Sequence, residues 1–207
     1  MLRDQPPPVP TAELTGRDVH DRSLTFRAIA GDPLGPKYPD ALSVQDINDL
    51  VAIGRALDRY DVRRRWLRRL DSGRRIEVAQ RVGLLTGAIA RALADVARRE
   101  HRRLTFAHGD LTARNVLADT DGRCVLIDWE WAGLYPPEYD LAFLWFSLVD
   151  MPGGRAQVEA AVVGKLDSFL LSALLVQLWH LQWFVPVEFH ETHLATRDDL
   201  VRRLVDR

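Results

Sequence analysis

Leu166 to Val185 is the most apolar stretch of the chain, and it constrains the fold more than any other segment. A run of that character either crosses a membrane or lies buried on all sides. Asp167, Gln177, His180 and Gln182 fall inside it, and such groups are costly in lipid. The stretch therefore reads as a helix buried in a soluble domain, with other elements packed around it. The chain has 207 residues, 47% of them hydrophobic and 28% charged. That suffices for one domain, or two small lobes, with a sizeable core, and it excludes a disordered or fibrous chain.

The formal charge of −1 argues against a dedicated nucleic-acid binder. Between Arg55 and Arg103 there are 15 arginines and six acidic residues. They are dispersed at helical spacing with no interleaved aromatic platform, so they read as solvated helix faces. Cys124 is the only cysteine, so no disulfide forms within the chain, and a cytoplasmic setting is expected. Met1-Leu2-Arg3-Asp4 precedes a proline run and holds no apolar h-region, so no signal peptide is expected.

Residues 5–10 should be extended, because proline fixes φ and lacks an N–H. Thr11 to Leu14 and Ser23 to Ala30 read as strands, the second from its alternation. Ser43 should cap a helix reaching about Tyr60, with Asp46 at the capping-box position. Val62 to Leu70 reads as a short arginine-rich helix, and Ser72 to Arg99 as one long helix. Leu104 to Ala107, Val116 to Ala118 and Arg123 to Ile127 read as strands. Glu138 to Val149, Arg155 to Phe184 and Thr196 to Asp206 read as helices, the last capped by Thr196.

The chemistry is concentrated in His108-Gly109-Asp110-Leu111-Thr112-Ala113-Arg114-Asn115 and in Asp128-Trp129-Glu130. Asp110 and Asn115 share one loop between short strands, and the hairpin that follows returns Asp128 near that loop. Asn115 and Asp128 would give a hard cation two oxygen ligands, which suits Mg²⁺ together with phosphate. Asp110 would remain free to accept a proton from a hydroxyl. Phosphoryl transfer needs that division of labour. Taken singly, these residues could be a loop aspartate, a turn asparagine and a strand-end cap.

With these motifs the sequence resembles the aminoglycoside phosphotransferase family, within the protein-kinase-like superfamily. The resemblance rests on His108-Gly109-Asp110, Asn115 five residues after that aspartate, Asp128-Trp129-Glu130 and Asp140-Leu141-Ala142. It implies an α+β, protein-kinase-like fold, with a mainly helical C-lobe and a truncated N-lobe. Residues 1–30 would be the remnant of the N-lobe and hinge strand, and residues 31–207 the C-lobe. The resemblance further implies an ATP-dependent (or GTP-dependent) small-molecule kinase. Asp110 would be the base, Asn115 and Asp128 the Mg²⁺ ligands, and His108 and Asp140 supports of the catalytic loop. Relatives of this architecture phosphorylate aminoglycosides, macrolides, choline, homoserine and sugars, so the implied acceptor is a small-molecule hydroxyl.

The pattern departs from the family upstream. There is no G-x-G-x-x-G, and the two lysines do not sit on a strand: Lys37 lies in a Gly/Pro loop and Lys165 reads as helical. A non-catalytic kinase-like binding protein, self-associating through an uncovered C-lobe, and an inactive fragment of a longer phosphotransferase are therefore the alternatives. Trp129 and Glu130 are candidate substrate contacts, although Trp129 equally suits packing. Glu188 and Glu191 could face a cationic substrate. His190, Glu191 and His193 invite a zinc reading, but the spacing is not H-E-x-x-H and no third ligand is evident.

Overall fold

A computed structural model describes residues 6–18, 20–62, 67–100, 103–183 and 190–205. Strands β1 (Leu14–Asp18) and β2 (Ser23–Phe26) form an antiparallel hairpin. Strand β2 stops short of Ala30 because the chain leaves the hairpin for β3 (Gly31–Pro33) in a different sheet. There β3 pairs antiparallel with β6 (Val116–Asp119), and β6 pairs with β7 (Cys124–Leu126). Thr11 bridges Leu126 in parallel, so the extended N-terminal segment runs beside β7.

Helix α1 (Val44–Asp58) starts where the sequence puts it. The Ser43 hydroxyl accepts from the Asp46 N–H at 3.0 Å, and the Asp46 carboxylate accepts from the Ser43 N–H at 3.0 Å. Aspartate thus closes the capping box that glutamate usually closes. Ile47, Leu50, Val51 and Leu57 are buried along one stripe, and Ile53 is buried beside it.

Two long helices expected from periodicity are each divided by a glycine. The stretch from Ser72 splits into α2 (Ser72–Arg81) and α3 (Gly87–Glu100), with Gly83 at φ +81° between them. The stretch from Arg155 splits into α5 (Pro152–Ala161) and α6 (Leu166–Trp183), with Gly164 at φ +87°. A left-handed residue just past a helix end terminates it, and glycine takes that conformation without strain. Lys165 therefore precedes a helix and is not inside one. Its ammonium pairs with Asp58 at 3.3 Å and with Glu138. Thr105 also donates to Asp58, at 2.7 Å, so this cluster, with Lys165 at its exposed side, ties the end of α1 to the start of α6.

The segment Val62 to Leu70 is not a helix at its end: Arg68–Arg69 form β4, which pairs parallel with β8 (Gly133–Tyr135). Residues 63–66, including Trp66, lie outside the described residues. Strand β5 (Thr105–Ala107) completes that sheet antiparallel to β8. A two-residue strand is held by its distant partner, which local periodicity cannot reveal.

Helix α4 (Tyr139–Ser147) is buried on every side and packs against α6. Helix α7 (His190–Val205) covers α6 and begins before Thr196, whose hydroxyl bonds the Thr192 carbonyl and does not cap. Helix α6 is the buried helix read from the sequence. Among the described residues, no helix is long and apolar enough to cross a membrane.

His180 sits in α6 at 1% exposure, its Nδ1–H donating to the Val176 carbonyl at 3.0 Å. Burial pushes its imidazole from the ordinary 6.5 down to about 3. Below pH 6.5 the unfolded chain therefore takes up a proton that the folded chain refuses. Stability falls there by about 1.4 kcal/mol per pH unit from this residue alone. Between pH 7 and pH 5, urea unfolding should show the wild type losing about 2 kcal/mol more than His180→Leu. Parallel losses would mean that His180 titrates alike in both states.

Candidate active site

The loop from β5 to β6 is anchored by a residue on α4. The buried Asp140 carboxylate accepts from the His108 N–H at 2.8 Å and from the Gly109 N–H at 2.9 Å. Burial pushes its carboxyl up to about 7, against the pull of those two donors. Gly109 has φ +87°, and a Cβ there would meet the Trp131 carbonyl oxygen at 2.6 Å. The middle residue of His108-Gly109-Asp110 therefore has to be glycine on both counts. The His108 side chain is fully buried. Its Nε2 donates to the Ile127 carbonyl at 2.8 Å, and Nδ1 accepts from the Asp110 N–H at 3.4 Å. Burial holds the imidazole neutral, at about 4. His108 thereby fastens the loop to the residue just before Asp128.

Asp110 and Asn115 are joined directly. Asn115 Nδ2 donates to the Asp110 carboxylate Oδ2 and to its carbonyl, both at 2.9 Å. The other carboxylate oxygen, Oδ1, is buried without a hydrogen-bond partner, and Lys37 Nζ lies 3.7 Å from it. Burial raises the Asp110 carboxyl above the ordinary carboxylate range, while Lys37 and Asn115 draw it back. Asp128 is exposed and takes the left-handed conformation, φ 63° and ψ 62°. Aspartate tolerates that region better than most side chains do.

These residues share a cleft of about 270 Å³ lined by Lys37, Asp110, Asn115, Asp128, Trp131 and His180, among others. Asp128 and Glu130 also belong to a second, mainly apolar cleft of about 600 Å³. Leu24 and Phe26 of β2, Leu117 of β6, Ile127 and Trp129 wall that second cleft. The two clefts therefore meet at Asp128. Trp129 is anchored as a packing residue: its indole N–H donates to Thr11 Oγ1 at 2.7 Å, and its edge meets His108. Glu130 is exposed at the junction, and its carboxylate accepts from the Trp131 indole N–H at 2.8 Å. Glu191 is exposed on α7 and lines neither cleft. Glu188 lies outside the described residues. Among the described residues, no three His, Cys, Asp or Glu side chains are grouped to hold a metal, so nothing supports the zinc reading of His193. Lys37, set aside as a Gly/Pro-loop lysine, is the site residue that sequence reasoning missed. The only local signal was the compact turn that carries it.

The model of the phosphotransferase enzyme family, APH, matches residues 1–174 of the chain. The chain belongs to this family. No curated protein matches the sequence of this chain. Its fold is that of protein-kinase-like phosphotransferases. A choline/ethanolamine kinase family protein from Mesorhizobium loti superposes with a TM-score of 0.70 at 16% identity, covering 92% of this chain and 74% of that one. The choline kinase LicA from Streptococcus pneumoniae gives 0.61 at 14% identity, covering 98% and 77%. An aminoglycoside phosphotransferase from Streptomyces rimosus gives 0.52 at 16% identity, covering 97% and 77%. The fold class read from the motif is therefore correct, α+β and protein-kinase-like.

Proposed function

We propose that this phosphotransferase moves the γ-phosphate of ATP to a hydroxyl of a small molecule, with Asp110 as the base. The carrying observation is the state of the Asp110 carboxylate. One oxygen is fixed by Asn115, and the other is buried, without a hydrogen-bond partner, on a residue lining the cleft. A hydroxyl donating to that oxygen would be oriented and would lose its proton as it reacts. Its oxygen forms the new bond to the γ-phosphorus. The bond from that phosphorus to the bridging oxygen breaks, ADP leaves, and the proton passes to Asp110 Oδ1. Burial makes Asp110 a stronger base than an exposed aspartate.

The apolar cleft of about 600 Å³ suits the nucleotide base. In this reading Ala12, Leu24, Phe26 and Ile29, from the segment read as the N-lobe remnant, form its outer wall, and the loop from β5 to β6 carries the chemistry. Asn115 and Asp128 fit Mg²⁺. The Asn115 amide nitrogen is committed to Asp110, which leaves its oxygen available, and Asp128 adds an exposed carboxylate. Such a set is too small to hold a metal alone and matches a cation that takes one or two protein oxygens together with phosphate and water. When bound, the ion neutralises phosphate charge. His108 and Asp140 hold the loop that places Asp110 in the smaller cleft.

Calorimetric titration with Mg-ATP tests this reading. The wild type should bind, and Asp128→Ala should bind at least tenfold more weakly, since the cation then loses its only carboxylate ligand. Equal affinities would remove Asp128 from the metal site. Absence of nucleotide binding in the wild type would favour a binding protein on a kinase-like scaffold.

A further inference from the structure

Lys37 is not explained by transfer chemistry alone. It stands on the loop between β3 and α1, and its half-buried ammonium reaches into the cleft. Among the described residues its only carboxylate neighbour within 4 Å is Asp110, at 3.7 Å, which is too long for a hydrogen bond. It also lies over two ring faces, those of Phe143 at 5.6 Å and Tyr38 at 6.0 Å, and shares the cleft with His180, whose imidazole feels its charge. Rings hold a cation in place without consuming its hydrogen bonds. The ammonium thus keeps donors to offer a ligand. It approaches Oδ1, whereas Asn115 holds Oδ2. Lys37 therefore lies on the acceptor's side of Asp110.

The walls around it point the same way. Trp131 and Trp179 line this cleft with their edges in contact, at 5.2 Å between centroids. Two aromatics of this kind could box a cationic ligand. Both already carry cations of the protein: the Arg68 guanidinium lies 4.6 Å from the Trp131 ring centre, and that of Arg75 5.3 Å from Trp179. The second basic lining residue, Arg114, is exposed at the rim. Of the cleft's carboxylates, Asp110 and Asp128 belong to the chemistry, and Glu130 is turned to an indole N–H. A cationic acceptor would meet Lys37 beside its reacting hydroxyl, with the neighbouring indoles already supplied with cations.

We infer that the acceptor is a small hydroxy acid, its hydroxyl on Asp110 and its carboxylate on Lys37. This rests on the phosphotransfer reading of the cleft. The spacing of the two protein atoms suits a carboxylate one or two carbons from the reacting hydroxyl, each group within about 3 Å of its partner. The volume, about 270 Å³, has also to admit the phosphoryl group, so the acceptor is small.

ADP release from Mg-ATP tests the inference with glycolate, lactate and glycerate against ethanolamine, choline and serinol. Nucleotide affinity is measured in parallel by calorimetry. At least one acid should exceed every amine tenfold in kcat/KM. Lys37→Met should lose at least tenfold on that acid, mainly through KM, with nucleotide affinity within twofold of wild type. Lys37→Arg should recover part of the loss. A preference for the amines, no turnover of any acid by a protein that binds nucleotide, or an unaltered KM in Lys37→Met would each overturn the inference and leave the nucleotide site standing. A wild type that binds no nucleotide would remove the phosphotransfer reading, and this inference with it.

Discussion

Asp110→Ala is expected to lower turnover about a thousandfold while nucleotide affinity stays within about twofold. The loss corresponds to about 4 kcal/mol of barrier. It should fall on kcat, because a base acts on the proton only as the hydroxyl reacts. Nucleotide binding should survive because Asn115 keeps its bond to the Asp110 carbonyl oxygen when the carboxylate is removed. The asparagine then stays where it is. Steady-state ADP release and calorimetric titration on the same preparation check both halves. Turnover within tenfold of wild type would end the assignment of Asp110 as base. A parallel loss of nucleotide binding would mean that the carboxylate positions Asn115 as well.

Asp140→Ala should destabilise the protein by about 4 kcal/mol, the sum of two buried N–H groups left without acceptors. Both belong to the loop from β5 to β6, those of His108 and Gly109. The His108 ring bonds the Ile127 carbonyl, so loosening the loop would also loosen the approach to Asp128. The variant should therefore unfold at lower urea concentration and, where still folded, turn over more slowly. Urea unfolding followed by tryptophan fluorescence reads the first effect. A change below 1 kcal/mol would mean that solvent or another donor set replaces the carboxylate at little cost. Asp140 touches neither cleft, so any catalytic loss from its removal comes through the loop it holds.

How much of this was legible in the sequence follows from how local each determinant is. The identities of Asp110, Asn115, Asp128 and Asp140 were readable because their order and spacing survive in one dimension. The Ser43–Asp46 cap and the buried stripe of α1 were readable because a helix repeats every few residues. Helix α6 was readable because its apolar run leaves no polar face. Of the helix breaks only the first left a trace, in Gly83 and Gly87; the break at Gly164 was not legible, because the left-handed φ that makes a glycine a terminator depends on where the next helix must start.

What only the tertiary structure decided are the contacts between segments distant along the chain. Arg68–Arg69 became a strand because β8 lay beside it, against the helical look of its neighbours. Lys165 was drawn to Asp58 and Glu138 at a helix start. Lys37, in a Gly/Pro loop, was carried by the turn after β3 to within 3.7 Å of Asp110, far along the chain. Sequence spacing encodes short-range geometry, because covalent geometry and hydrogen-bond periodicity fix it. A contact between a loop and a distant site is set by how the whole core packs, and no local pattern records it. The motif that proposes the chemistry was therefore written in the sequence, and the placement of Lys37 beside Asp110 was settled by the fold.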